Sequence, residues 1–471
     1  FFDRGTPPAG VSAHETAIAG ILFGRDPNAA FEGLGQFTYE GVIPDAMGNF
    51  YEFWYFLTDT VFPMRRPDAD VITMSLGSQF EDWWTRGIEA MSERYGIPVV
   101  AGIGNGLEAH DSVLFPAAGS NVIGVGVLET ILSDDLETNL SQFWLPRPES
   151  SSSGPTDDNR AKPDIVAPGR FLTADSTNPD GLLITASGSS YAAPLVAGVI
   201  GLLTQEAKSD PNLAMAAGEG AARIMRAILM TSARKMPYWQ KGMPGAEDDH
   251  IVPLDYAQGA GRLDAIAAYE LLKAGRKEAG SMSDSGWDFN SIVLDGADAR
   301  AYLLDTSGAE GKTITATLVW HRYYQHAYPF ARNYARDTDL AMELWAWDDS
   351  GSRMVDHSDS RVDNLEHISF VAEPNEQYFL LVRLSGNAAP NSEASESFAM
   401  AWRVHETPPR DVAWYDINGD GTADIADAAA IIANFSTAGT KTKVGQPGDI
   451  NGDGFIDLVD LVLLSRVIGK L

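Results

Sequence analysis

Three short runs, at residues 69–76 (ADVITMSL), 97–102 (IPVVAG) and 122–127 (VIGVGV), are apolar almost without alternation and are bounded by turn residues. A strand with one wet face alternates polar and apolar side chains. A strand with no wet face reads as these do, so the runs belong in a sheet covered on both sides. Helices are the usual cover, and stretches between the runs, such as residues 83–95, carry helical spacing. Up to about residue 275 the pattern predicts an α/β domain built on a parallel sheet. Within it, residues 191–203 are apolar all round, the mark of a buried central helix.

Texture changes after a polar segment at residues 276–285. From 292 to 404 the runs TITATLVW, DLAMELWAW, HISFVA, QYFLLVRL and FAMAWRV are β-rich, with Gly, Asn and Asp between them and no helical pattern. That predicts an antiparallel β-sandwich. Thr407-Pro408-Pro409-Arg410 reads as a stiff linker. Beyond it the segment DINGDGTADIAD, from Asp416, recurs 33 residues later as DINGDGFIDLVD, each copy followed by an apolar helical pattern. The expected domains are therefore 1–275, 286–406 and 411–471.

Lys plus Arg number 34 against 65 Asp plus Glu, a net charge of −31. Such a field repels nucleic acid and anionic lipid and favours cations, so no nucleic-acid partner is expected. With no cysteine, disulfide frameworks, zinc–thiolate sites and thiol nucleophiles are all excluded. No apolar stretch approaches the roughly 18 residues of a membrane helix, so no membrane span is expected. The chain opens on Phe1, which reads as a processing product or a truncation.

In each 12-residue repeat, oxygen-bearing side chains occupy positions 1, 3, 5, 9 and 12: Asp416, Asn418, Asp420, Asp424 and Asp427, then Asp449, Asn451, Asp453, Asp457 and Asp460. Gly421 and Gly454 stand at position 6, where a loop wrapping a cation turns sharply, and the carbonyls of Thr422 and Phe455 supply position 7. Ca²⁺ takes six to eight oxygens in this manner. Position 12 is Asp rather than Glu, and one helix follows each loop. The pattern resembles a dockerin, whose paired loop–helix units bind Ca²⁺ and plug into a cohesin domain on a scaffold protein. The resemblance implies a cohesin-type partner. Loop positions 10 and 11, Ile425 and Ala426 or Leu458 and Val459, either contribute to that recognition or pack the two helices together.

Gly188-Ser189-Ser190 precedes the central apolar helix, with Pro194 in its first turn, where the missing N–H costs little. Ser190 then sits at a helix N-terminus, where free N–H groups favour negative charge. A serine there also serves as a plain cap. The motif G-S-S-Y-A-A-P-L-V-A-G resembles the nucleophile motif of the subtilisin-like serine proteases. Further matches follow in that family's chain order: His14-Glu15-Thr16-Ala17-Ile18-Ala19-Gly20, Gly41-Val42-Ile43-Pro44-Asp45-Ala46, DVITMSLG from Asp70, VVAGIGNG from Val99, Ser152-Ser153-Gly154-Pro155, KPDIVAPG from Lys162 and GAGRLDA from Gly259. The resemblance implies Ser190 as nucleophile, His14 as its general base and Asn105 as an oxyanion donor beside the Ser190 N–H. It implies a peptide lying as an added strand along Ser75, Leu76 and Gly77, with Leu76 and the segment from Gly102 through Gly106, Gly104 among it, bordering the primary specificity pocket. The small residues there suggest room for a large apolar side chain.

Two features depart from the family pattern. Glu15 and Ala17 replace a glycine and a second histidine beside His14. The orienting acid, normally a few tens of residues upstream of the histidine in Asp-x-Gly, has as its counterpart Asp3 in Phe1-Phe2-Asp3-Arg4-Gly5, only 11 residues before His14. Eleven extended residues reach about 35 Å, so the short gap is sterically possible. Either Asp3 is the acid, or the acid lies on a missing N-terminal piece, or the protein is a non-catalytic relative. In the sandwich, Asp339 and Glu366 are candidates for a further Ca²⁺ site. The expected whole is a secreted, calcium-binding serine endopeptidase acting on proteins or peptides, open to a cell-surface assembly. An inactive subtilase scaffold is the alternative.

Overall fold

The computed structural model describes residues 2–4, 12–106, 113–130, 135–143, 145–147, 150–178, 180–236, 239–242, 250–294, 297–309, 311–348, 351–385, 394–406, 417, 425–434, 448, 456, 460, 461 and 464. In the first part the elements run β1 (Phe2–Arg4), α1 (Ala13–Phe23), β2 (Arg25–Phe31), β3 (Gly35–Glu40), β4 (Asn49–Tyr51), α2 (Phe53–Phe56), β5 (Ile72–Met74), α3 (Trp83–Tyr95), β6 (Val99–Gly102), β7 (Ile123–Leu128), α4 (Leu136–Ser141), β8 (Ile165–Pro168), β9 (Leu172–Ala174), β10 (Leu182–Ile184), α5 (Ser189–Ser209), α6 (Ala221–Ser232) and α7 (Ala265–Ala274).

The three apolar runs supply β5, β6 and β7, which pair in parallel in that order, with β8 added outside β7. Both faces of this sheet are covered, and the pleat divides its side chains between two cores. Val100, Ile123, Val125 and Ile165 pack with Val196 and Ile200 of α5. Val99 and Ala101 pack on the opposite side, with Ile88 and Met91 of α3. α5 is the buried central helix that its composition predicted; Ala192, Ala193, Val196, Ala197 and Ile200 are all buried. α3 begins in a reciprocal cap, in which Asp82 Oδ1 accepts from Trp83 N at 2.6 Å and Thr85 Oγ1 accepts from Asp82 N at 2.9 Å.

The second part is the expected sandwich: β11 (Met282–Ser283), β12 (Ser285–Val293), β13 (Ala299–Leu304), β14 (Thr313–Trp320), β15 (Leu340–Asp348), β16 (Gly351–Ser358), β17 (Leu365–Val371), β18 (Gln377–Leu384) and β19 (Ser395–His405). The sheet β11-β13-β18-β15-β16 faces the sheet β12-β19-β14-β17. Ile314, Leu318, Trp320, Phe398, Met400 and Trp402 point from the second sheet toward the first, meeting Tyr302, Leu344 and Leu380.

The other face of β14 and β19 is dry as well. Val319, Ala399 and Ala401 join the core built by α5, α6 and α7. Polar bonds lock the same seam: Thr231 Oγ1 donates to Thr317 Oγ1 at 2.9 Å, and Arg223 Nη1 donates to Ser397 O at 3.1 Å. Asn121 Nδ2 donates to Arg322 O at 2.7 Å while Arg322 N returns a bond to Asn121 Oδ1 at 3.0 Å. In the C-terminal part, α8 (Ile425–Ala433) follows the first loop of the repeat.

Candidate active site

Ser190 lies in the first turn of α5, which opens after extended Gly188, and its side chain is half-buried. Its carbonyl accepts a 2.7 Å bond from Ser75 Oγ, so the chain just after β5 is tied to the first turn of α5. Asn105 follows β6. Its Oδ1 accepts from Ser189 N at 2.8 Å and from Ser189 Oγ at 3.0 Å. That fixes the carboxamide against the helix start, and among the described residues its Nδ2 has no partner and remains available as a donor. This closeness requires Gly102: a Cβ there would stand 2.9 Å from Ser189 O and 2.9 Å from Ser189 Oγ.

His14 sits in the first turn of α1, capped by Ser12, whose Oγ accepts from Glu15 N at 3.2 Å. α1 packs against α5, which brings the His14 ring to 5.7 Å, centroid to centroid, from that of Tyr191, the residue after Ser190. Burial holds the Tyr191 hydroxyl above its ordinary pKa. The imidazole is exposed and has no hydrogen-bond partner among the described residues. Catalytic bonds are commonly long in a site without substrate and tighten when it binds. Asp3 lies on β1, which pairs in parallel with β4 in the register Asp3↔Phe50; its side chain is outside the described residues.

Leu76 and Gly77 are exposed, and among the described residues their main-chain groups make no backbone hydrogen bond. An extended peptide uses such an edge as its partner strand. Gly77 and Gly104 share a neighbour, and the space beside them is not open. Leu114 occupies it, a residue that sequence reasoning passed over. Its contacts lie in segments remote along the chain, and V-L-F-P carries no local mark of a pocket.

A family model described as the subtilase family matches residues 3–261, more than half of the chain. The chain belongs to the subtilase family. This subtilase is 30% identical over 290 residues to Subtilisin-like protease SBT6.1 of Arabidopsis thaliana, a match covering 59% of this chain and 24% of that protein. It is 27% identical over 230 residues to Pyrolysin of Pyrococcus furiosus, covering 44% and 15% respectively. The subtilase thus spans a quarter or less of the length of these relatives. The solved structure of Sphericase aligns at 22% identity and TM-score 0.38, over 54% of this chain and 78% of that one. At the other end of the subtilase, residues 414–469 match the dockerin type I domain.

In that dockerin module Asp427 and Asp460, the last ligand positions of the two loops, are both fully buried. A buried carboxylate is retained where it is paired or binds a metal, and the donor set of these loops is all oxygen, as Ca²⁺ requires. The residues present therefore fit the ion. Asp416, Asn418, Asp420, Thr422, Asp424, Asp449, Asn451, Asp453, Phe455 and Asp457 lie outside the described residues, as do Leu458 and Val459. Ile425 is 76% exposed on α8.

The sandwich expectation is corrected at Glu366. Glu366 is buried and committed to internal bonds, accepting from Ser360 N at 2.8 Å and from Ser358 Oγ at 2.5 Å, and burial pushes its pKa well up. Burial likewise raises Asp339 to about 6, against the pull of Arg322. Among the described residues no group of three acidic or His side chains is placed to hold a metal.

Proposed function

We propose that the protein is a secreted serine endopeptidase that hydrolyses peptide bonds in proteins or peptides and is carried to an extracellular assembly by its dockerin module. The observation that carries this reading is the convergence on one helix start of three separate motifs. α5 presents Ser190, Asn105 is bonded to the neighbouring Ser189, and the His14 ring lies 5.7 Å from that of Tyr191.

In the proposed mechanism a peptide pairs with the edge at Ser75, Leu76 and Gly77. Serine is a weak nucleophile until a base takes its proton. His14 accepts the Ser190 Oγ proton as Oγ attacks the scissile carbonyl carbon, and Asp3 orients the imidazole and balances its charge. The tetrahedral oxyanion receives hydrogen bonds from Asn105 Nδ2 and Ser190 N–H. His14 then protonates the leaving amine, and a water molecule, activated the same way, hydrolyses the acyl-enzyme. A fluorophosphonate probe should label Ser190 in the calcium-loaded chain and fail to label Ser190→Ala. An unlabelled wild type would instead favour a non-catalytic subtilase scaffold.

The paired loops, through Asp416 to Asp427 and Asp449 to Asp460, would hold one Ca²⁺ each. The ions neutralise carboxylates that otherwise repel one another, and the folded module presents Ile425 to a cohesin-type partner. Chelation by EGTA should unfold residues 411–471 while leaving 1–406 folded. Limited proteolysis followed by mass spectrometry reads this out: new cleavages confined to the tail are expected, and unchanged protection of the tail would count against the loops.

A further inference from the structure

We propose that Leu114 closes the primary specificity pocket of this subtilase, so that the residue donating the scissile carbonyl must be glycine, alanine or serine. The inference rests on the proposed reading of Ser190 as nucleophile and of the edge at Ser75, Leu76 and Gly77 as the substrate strand. Beside that edge, the side chain preceding the scissile bond has to enter between Gly77 and Gly104. In this chain Leu114 is already there. A Cβ on Gly77 would stand 2.8 Å from Leu114 Cβ and 3.1 Å from its Cδ1. One on Gly104 would stand 3.2 Å from Leu114 Cγ and 2.5 Å from Ser152 Oγ. A single added methyl on either wall already meets the leucine, so a benzyl or isobutyl group has nowhere to go unless Leu114 leaves.

Leaving is resisted by the backbone. Leu114 N donates to Ile103 O at 3.0 Å, and Ala118 N donates to Leu114 O at 2.8 Å. Phe115 exchanges two 2.8 Å bonds with Ser78. The segment is therefore pinned to both walls of the slot, and only a rotation of the leucine side chain itself remains. The far end of the slot is also occupied: Ser152 is buried, and its Oγ accepts from Gly106 N at 3.3 Å. The two glycine walls, which in the sequence suggest a roomy pocket, are instead what allows Leu114 to fit.

The test compares succinyl-Ala-Ala-Pro-Xaa-p-nitroanilides, with Xaa Ala or Phe, on the calcium-loaded full chain and on Leu114→Gly and Leu114→Ala. Wild type should prefer Ala over Phe by about 100-fold in kcat/KM, within the range that a few methylenes of pocket shape provide. Leu114→Gly should raise the Phe/Ala ratio of kcat/KM at least about tenfold, with Leu114→Ala intermediate. Circular dichroism and fluorophosphonate labelling of each variant confirm that fold and nucleophile are intact. A wild type that cleaves Phe as well as Ala, or variants that label normally with an unchanged ratio, would overturn the proposal. If Ser190 is never labelled, the proteolytic reading is what has failed. The pocket is then judged by binding of the free acids succinyl-Ala-Ala-Pro-Ala and succinyl-Ala-Ala-Pro-Phe, where tighter binding of the Phe peptide by wild type overturns the closure.

Discussion

Replacing His14 by alanine should lower kcat by about 10⁶-fold, as much as replacing Ser190, and the double variant should be no worse than either. The magnitude is carried over from subtilisin, and the reason for it is general. In the proposed mechanism nucleophile and base act as one unit: without His14 the Ser190 hydroxyl keeps its proton, and without Ser190 the base has nothing to activate. What survives is stabilisation of the oxyanion and substrate binding, which is why the loss stops at that level. Asn105→Ala removes a donor and leaves the proton path whole, so its cost should be only about 10²–10³ in kcat, with KM little changed. In the proposed mechanism Asp3 orients the base and does not bond the substrate, so Asp3→Ala should fall between, near about 10⁴. Initial rates on the preferred anilide, normalised to correctly folded protein, rank the four. A His14→Ala enzyme retaining a tenth of wild-type kcat would remove His14 from the mechanism.

The parallel strands were readable because burial on both faces leaves a plain mark, an unbroken apolar run such as Val99-Val100-Ala101, whose members go to opposite cores. The central helix was readable for the same reason. The seam between catalytic part and sandwich was not. In TITATLVW the threonines at 313, 315 and 317 look like the wet face of a one-sided strand, yet all three are buried. Thr317 is accommodated there by pairing with Thr231 of α6, a partner 86 residues away. Local pattern cannot distinguish a hydroxyl facing water from one facing another hydroxyl. The candidate site divides in the same way. Ser190, His14 and Asn105 sit in motifs whose glycines and helix starts are local. Leu114 acts only through Gly77 and Gly104, which the fold brings to it. The Ca²⁺ expectation at Glu366 failed because an acidic residue in a loop reads as a ligand, whereas the folded chain buries it and fills its acceptor sites with Ser358 and Ser360.

Asp164→Ala is the substitution expected to harm the fold most. Asp164 is completely buried on the approach to β8 and accepts from Lys162 Nζ at 2.6 Å, Arg226 Nε at 2.9 Å and Gly124 N at 2.6 Å. Burial alone would raise its pKa; Arg226 and then Lys162 overcome that and hold it below the ordinary carboxylate range. Lys162, buried as well, is lowered to about 8 by burial despite the pull of Asp164. Removing the carboxylate leaves two buried cations side by side with no counter-charge, a loss of about 3–5 kcal/mol. The damage should reach the nucleophile, because β8 leads to Gly169, whose carbonyl accepts a 3.1 Å bond from Gly188 N just before Ser190. Urea titration should therefore show a lower midpoint for Asp164→Ala, together with a loss of fluorophosphonate labelling at urea concentrations that wild type tolerates. The combined variant Asp164→Leu, Lys162→Met and Arg226→Met separates charge from shape. With no charge left to strand, it should recover much of the lost stability. If it is instead as unstable as Asp164→Ala, then the hydrogen bonds from Arg226 to Ser120 O and from Lys162 to Val122 O, and not the uncompensated charge, are what hold this corner of the sheet together.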